Sequence, residues 1–467
     1  MNPRSLHASA RRIAPLAWPV FIGQLSVLAF STADTLLVAR HSAADLAALA
    51  VGSAAYITVF IGLMGVVLAV GPIVGQAFGA GRLAEAGHQL HQATWLALGC
   101  AMLGSAVLLM PAPFLWLARA SPELDAKVRS YLLWLACALP AALLFTAYRG
   151  FNVAVSRPKA VMALQLGGLA LKVPLSAALV HGVPALGLAP LGVAGCGLST
   201  LVAMWLQALL ALWVLRRDPF YAPFSLRGHG LQAPHAASLK ALLTLGLPMG
   251  LSIGIEVTGF VFMAIFIARL GNTAVAGHQI AANLVALLFM MPLALSNASS
   301  TLVAQRIGAG DLPDARRLGW HGLQITVCMA ALMGGTVFLL REAVVGLYTR
   351  DPLVQAAALP LLAWVALFHT SDAGQTVAAF VLRAWRVATL PMVVYAVCLW
   401  GVGLAGGYVL AFNAWGNTPP ALQGARGFWV ASTAGLLLAA LTLSAMLLGL
   451  LRRQRRQARQ EAAPAGG

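Results

Sequence analysis

The sequence predicts an all-α polytopic membrane protein: twelve transmembrane helices in two six-helix lobes, related by a parallel pseudo-two-fold repeat. Three observations carry this prediction: scarce charge, recurrent long apolar runs, and one offset that superposes the two halves. Of the 467 residues, 60% are hydrophobic and only 9% charged, with a mean hydropathy of +0.84. A soluble domain carries about 25% charged residues, so this chain is too poor in charge to present a solvated surface. Runs such as 131–148, 257–268, 326–340 and 436–451 each supply much of the roughly 20 residues a helix needs to cross a bilayer.

The first six spans are expected near 13–39, 46–72, 89–110, 127–149, 159–181 and 191–215. The second six are expected near 241–268, 275–299, 319–340, 353–380, 387–411 and 427–451. Arg11 and Arg12 precede the first span, but its apolar stretch runs to about Val38. That exceeds the 7–15 residues of a signal-peptide core, so it reads as a spanning helix. Between the sets, 216–240 holds Arg-Arg-Asp-Pro and several His and Pro residues without a long apolar run. The organisation is therefore an N-lobe over 1–215, a cytoplasmic linker over 216–240, a C-lobe over 241–451 and a basic cytoplasmic tail over 452–467.

The halves repeat one another. A shift of 229 residues aligns Gln76-Ala-Phe-Gly-Ala-Gly-Arg-Leu-Ala-Glu-Ala86 with Gln305-Arg-Ile-Gly-Ala-Gly-Asp-Leu-Pro-Asp-Ala315. The same shift pairs Pro19 with Pro248, Ala39-Arg40 with Ala268-Arg269, and Phe60 with Phe289. A shift of 230 pairs Pro122 with Pro352 and Trp134 with Trp364; a shift of 232 pairs Gly192 and Gly195 with Gly424 and Gly427. Six helices per half keep both halves in one orientation, so the repeat is of the parallel kind, for which substrate is expected at the interface between halves.

The net charge of +17 raises the question of nucleic acid, and its distribution answers it. Lys and Arg form no stripe interleaved with aromatics; they sit in short loops, mostly on one side of the predicted spans. By the positive-inside rule both termini are cytoplasmic, in the cell inner membrane. The tail Arg452-Arg-Gln-Arg-Arg456 also suits anionic lipid headgroups. The five cysteines stand singly in apolar segments, without metal-ligand spacing, and read as small buried hydrophobes.

Of the 13 acids, ten fall in loops or tails, and three remain at membrane depth: Asp34 in the first helix, Glu256 in the seventh and Asp372 in the tenth. A carboxylate at a helix centre costs about 2.5–3.5 kcal/mol on insertion scales. Ionisable groups retained against that cost usually line a water-filled path or a proton relay. Shielding from water favours the neutral form of a carboxyl, so such a group can load and release a proton as its access alternates. Ionised, it can hold Na⁺ or attract an organic cation; the structural alternative is hydrogen-bonding between helices. The acids do not coincide in the repeat. Val27 is the counterpart of Glu256, and Met263 that of Asp34.

Lys172 reads as the single basic residue at membrane depth, two residues before Pro174. Two solutions for its charge stand open: an ion pair with Asp34, or water at a cavity edge. His369 lies three residues before Asp372, near the same helix face, where it either passes protons or packs. The Gln-x-x-Gly-Ala-Gly segments lack the spacing of phosphate-binding loops and read as tight turns. Pro19, Pro174, Pro248 and Pro292 mark kinks. Phe260 and Phe289-Met-Met291 suit a greasy cavity or ordinary packing.

At these residues the chain resembles the MATE (multidrug and toxic compound extrusion) family, in its NorM-like branch, over roughly 10–450. The resemblance is carried by Ala33-Asp-Thr-Leu-Leu37, Gly192-Val-Ala-Gly-Cys-Gly197, Glu256-Val-Thr, Ala276-Gly-His-Gln-Ile280 and Phe289-Met-Met-Pro292. Ser371-Asp-Ala-Gly-Gln375 and Gly424-Ala-Arg-Gly-Phe-Trp429 add to it. It implies two six-helix lobes, V-shaped together, working by alternating access to export organic cations such as drugs and dyes against inward H⁺ or Na⁺. It also implies that Asp34 is the first-lobe acid and that Glu256 with Asp372 forms the second-lobe cation site, where Na⁺ would bind if sodium is the coupling ion.

Two departures from the branch bear on the ion. Where NorM-like proteins tend to carry Asn-x-Pro-Leu-Asn, this chain reads Lys172-Val-Pro-Leu-Ser176, which removes amide oxygens beside Asp34. The position that is Tyr in some sodium-coupled members is Phe368. Both favour protons over Na⁺, with no cofactor, no structural metal and no obligate protein partner expected. Two rivals are a lipid-linked saccharide flippase of the same broader fold, which should line its cavity with several Arg, and a passive channel. An enzyme is not expected, because no nucleophile–base or metal motif stands out.

Overall fold

The computed structural model describes residues 5–117, 121–184, 187–226 and 230–461. Among the described residues, twelve helices are long and apolar enough to cross a membrane. In chain order they are α1 (Leu6–Ala39), α2 (Ala43–Gly79), α3 (Leu83–Leu109), α4 (Pro122–Ala154), α5 (Pro158–His181) and α6 (Val193–Arg217). The second set is α7 (Ala236–Ala268), α8 (Asn272–Gly308), α9 (Leu312–Leu339), α10 (Pro352–Ala384), α11 (Thr389–Ala411) and α12 (Ala425–Glu461). Several outrun the apolar windows because capping and polar first turns extend them beyond the hydrophobic stretch. Thus α4 begins at an N-cap Ser121 followed by Pro122, and α10 at an N-cap Asp351 followed by Pro352.

The repeat extends to the backbone. At the end of α2, the Arg82 amide donates to the Ala77 carbonyl and the Gly81 amide to Phe78; after α8, Asp311 donates to Arg306 and Gly310 to Ile307. Gly81 and Gly310 take φ of 73° and 74° to close these equivalent C-caps. The expected turns are therefore shorter than the Gln-x-x-Gly-Ala-Gly segments: Gln76 and Gln305 still lie within their helices.

The contacts divide the chain into two compact units, Trp18–Gly250 and Met1–Ala17 with Leu251–Gly467. These differ from the halves of the repeat in one respect: α1 and α7 each change unit along their length. The changes fall two residues from Pro19 and Pro248, the repeat-related prolines that cannot complete the helical ladder.

In the unit Trp18–Gly250, α4 packs against α3, α6 and α2. The first part of α7 lies against α2, where a Cβ on Gly246 would come within 2.4 Å of the Val66 carbonyl oxygen and one on Gly250 within 2.5 Å of that of Gly62. Small residues admit such close approach between spanning helices. Of the segment 216–240, expected as a linker, the described residues 219–224 are packed within this unit. Tyr221 and Phe224 are buried in the 3-10 turn Pro219–Phe224, Tyr221 Oη donates to Asn152 Oδ1 at 2.5 Å, and Arg157 pairs with Asp218 at 2.7 Å. Aromatic burial outweighs the low apolar content of this stretch.

In the other unit, α8 and α10 share the most extensive helix contact, flanked by α9 and α12. Its core includes Ile267, Leu284, Leu362, Val365, Phe428 and Trp429. Residues 6–17 join it through Ile13 and Ala17 against Leu295 and Ala298, and through Arg12, which pairs with Asp314 at 2.9 Å. Within α11, residues Ala396–Ala405 wind as a π-helix where Gly435 of α12 presses close to the Cys398 carbonyl. Cys196 and Cys398 are buried as expected, whereas Cys137 and Cys328 lie on exposed apolar faces. Such faces need no burial in protein when lipid covers them.

Two buried acid clusters, one in each unit

The first cluster lies on α1, α5 and α6. Lys172 and Ser176 stand one turn apart on one face of α5, on either side of Pro174. The Lys172 ammonium, 2% exposed, donates to Asp34 Oδ2 in an ion pair, and Ser176 Oγ donates to Asp34 Oδ1 at 3.2 Å. Ser176 Oγ also lies 2.6 Å from Ser199 Oγ, a pair in which either hydroxyl can donate, and Ser199 Oγ donates to the Cys196 carbonyl at 2.9 Å. Gly195 permits this meeting of α5 and α6, for a Cβ there would lie 2.7 Å from the Leu179 carbonyl. The Phe30 ring, 5.3 Å from the ammonium, adds a cation–π contact. Of the two solutions open for the Lys172 charge, the structure takes the ion pair.

The second cluster lies on α7 and α10. The Gln375 side-chain amide donates toward Asp372 Oδ1 at 2.9 Å, Glu256 Oε1 at 3.2 Å and Thr376 Oγ1 at 3.0 Å. Two N–H bonds thus serve three acceptors, two of them carboxylates. Asp372 is buried and Glu256 half-buried. Gln375 Oε1 and Ser371 Oγ are buried without hydrogen-bond partners among the described residues.

The other residues singled out divide. His369 is fully buried, both ring nitrogens without hydrogen-bond partners among the described residues, so it makes no hydrogen bond to Asp372; Gln375 takes that carboxylate from the next turn. Phe368 belongs to an aromatic cluster, its ring 5.2 Å from Trp429 and 6.1 Å from Phe260. Trp429 in turn donates to His278 Nδ1 at 3.3 Å. Phe368 is therefore part of the aromatic core of this unit.

Three participants escape the sequence reading. Gln375 and Ser199 are neutral, and nothing local marks them as partners of acids, although Gln375 follows Asp372 by one turn. Arg383, expected on the cytoplasmic surface, is instead buried in the last turn of α10, 4.6 Å above the Phe380 ring. Lys172 is thus not the single buried cation. The C-terminal end of a helix favours a cation, and ring contact shields the guanidinium stem.

Twelve apolar helices, an internal duplication and a buried acid cluster in each unit define a multi-pass helical membrane protein. The MatE family model matches residues 19–178 and 248–409. The chain is 42% identical over 451 residues to a probable multidrug resistance protein NorM of Aromatoleum aromaticum, covering 97% of this chain and 96% of that protein. It is 35% identical to the multidrug resistance protein PmpM of Pseudomonas aeruginosa, covering 97% and 94%. The chain belongs to the MatE family. Its fold matches that of the eukaryotic MATE transporter AtDTX14, with a TM-score of 0.85 at 19% identity, covering 98% of this chain and 99% of that one. The Vibrio cholerae MATE transporter VcmN gives 0.82 at 18% identity, covering 96% and 98%.

Proposed function

We propose that the chain is a multidrug efflux antiporter of the cell inner membrane, with both termini cytoplasmic, exporting amphipathic organic cations in exchange for inward-moving H⁺ by alternating access. Its relatives' names, NorM and PmpM among multidrug resistance proteins, support the substrate class. The observation that carries the mechanism is Gln375, whose single amide serves both Glu256 and Asp372. Two ionised carboxylates on one donor repel each other, and one added proton relieves the repulsion. Proton uptake on one side of the membrane and release on the other would then alternate with attraction of a cationic substrate. The coupling ion is the only cofactor this scheme requires.

Na⁺ in place of H⁺ is the second reading. It is favoured by Gln375 Oε1 and Ser371 Oγ, buried oxygens without partners close to the acids, since hard cations take oxygen ligands. Purified protein in liposomes, with dye export measured under a pH gradient alone and a sodium gradient alone, separates the two. Export under the pH gradient is expected; export driven by sodium alone overturns the proton assignment, and export under neither overturns the efflux reading.

A further inference from the structure

We propose that Lys172 is a built-in counter-ion: its ammonium occupies the cation position of the Asp34 cluster, so that this cluster binds no free Na⁺. The occupancy of this site is a binding property that stands apart from the efflux reading above.

The geometry is that of a cation site already filled. Both Asp34 oxygens are engaged, Oδ2 by the ammonium and Oδ1 by Ser176, with Ser199 behind. Without the lysine head, a carboxylate and two hydroxyl oxygens would face one small buried space, a donor set of the hard oxygen type that suits an alkali or alkaline-earth cation. With the lysine present, the pair is neutral and the ammonium is 2% exposed, so neither solvent nor salt screens it. A second cation within about 4 Å of that ammonium would bind roughly a thousandfold more weakly at an effective dielectric of about 20.

The other unit lacks this device. Residues 401–404, which correspond to Lys172 under offsets of 229–232, read Gly-Val-Gly-Leu. Among the described residues no Lys or Arg hydrogen-bonds to Glu256 or Asp372, whose shared donor is the neutral Gln375 amide. A tethered cation in one cluster and an untethered acid pair in the other make the two halves of the duplication chemically unequal.

The test is equilibrium binding of radioactive sodium to the purified full chain, in a Glu256→Gln/Asp372→Asn background that silences the second cluster. With Lys172 intact, no Asp34-dependent sodium binding is expected. Lys172→Asn and Lys172→Gln should each create a saturable sodium site, lost when Asp34→Asn is added, whereas Lys172→Arg should create none. Sodium binding by the Lys172-intact chain that disappears with Asp34→Asn overturns the proposal. So does the absence of a new site in Lys172→Asn and Lys172→Gln protein that elutes as a folded monodisperse species. If neither variant folds, the Lys172-intact chain decides alone, measured with and without Asp34→Asn: Asp34-dependent binding refutes, its absence supports. None of these readouts requires transport, so a failed export assay counts against the efflux reading and not against the filled site.

Discussion

Lys172 and Asp34 lie 138 residues apart in sequence and form one ion pair inside the unit Trp18–Gly250, with side-chain exposures of 2% and 10%. Burial makes this pair asymmetric to mutation. Removing one partner leaves an uncompensated charge and costs about 3–5 kcal/mol, while replacing both by apolar side chains is near neutral. Lys172→Met should therefore lower the thermal midpoint in detergent strongly, and Asp34→Leu/Lys172→Met should recover most of the loss. Equal destabilisation of the single and double variants would contradict the pairing.

The acid pair on α7 and α10 is expected to behave differently, because its members are held by an amide and not by a cation. Glu256→Gln and Asp372→Asn should each reduce gradient-driven dye export from liposomes while leaving the elution profile of the purified protein unchanged. Undiminished export by both single variants and by the double variant would remove these acids from the coupling scheme.

Gln375 ties the pair together, so its loss should be felt through Asp372. A hydrogen bond to a charged group contributes about 1.5–3 kcal/mol, and Gln375→Leu should lower stability by about that amount. In a double-mutant cycle, Gln375→Leu and Asp372→Asn should be non-additive by about 0.5 kcal/mol or more. Additive effects on unfolding would show that the contact carries no energy.

The glycines permit a comparison of strain with crowding. Gly81 has φ of 73° and open space where a Cβ would stand, so Gly81→Ala should cost only the left-handed backbone term of about 1–2 kcal/mol. Gly192 has φ of 56°, and a Cβ there would lie 2.5 Å from Asp45 Oδ2. That carboxylate is pinned by Lys127 at 2.7 Å and faces His41 at 3.4 Å, so it cannot easily yield. Gly192→Ala should add about 1–3 kcal/mol of overpacking. Similar thermal shifts for the two variants would contradict this difference.

Much of the candidate site is legible in the sequence because charge is costly in an apolar helix. Asp34, Glu256, Asp372 and Lys172 stand out by that cost alone. Gln375 and Ser199 do not, since a neutral amide or hydroxyl in a spanning helix has many ordinary uses. Arg383 reads as a surface residue because a helix end and a membrane boundary look alike in sequence. His369 shows what spacing leaves open: three residues place two side chains on neighbouring faces without requiring that they bond, and of the two readings the structure shows a buried ring that makes no hydrogen bond to Asp372.

The sequence by itself determined the number of spanning helices, their duplication and the three acids at membrane depth. Those follow from local hydropathy and from an offset preserved between the halves, both of which are properties of the chain read in order. Only the tertiary structure decided that Lys172 reaches Asp34 and that one amide serves Glu256 and Asp372. It also decided that α1 and α7 change units near Pro19 and Pro248, and that Tyr221 and Phe224 are buried within the unit Trp18–Gly250. Each depends on how helices far apart in sequence rotate and approach, which is set by small residues at their contacts and by the need to satisfy every buried polar group.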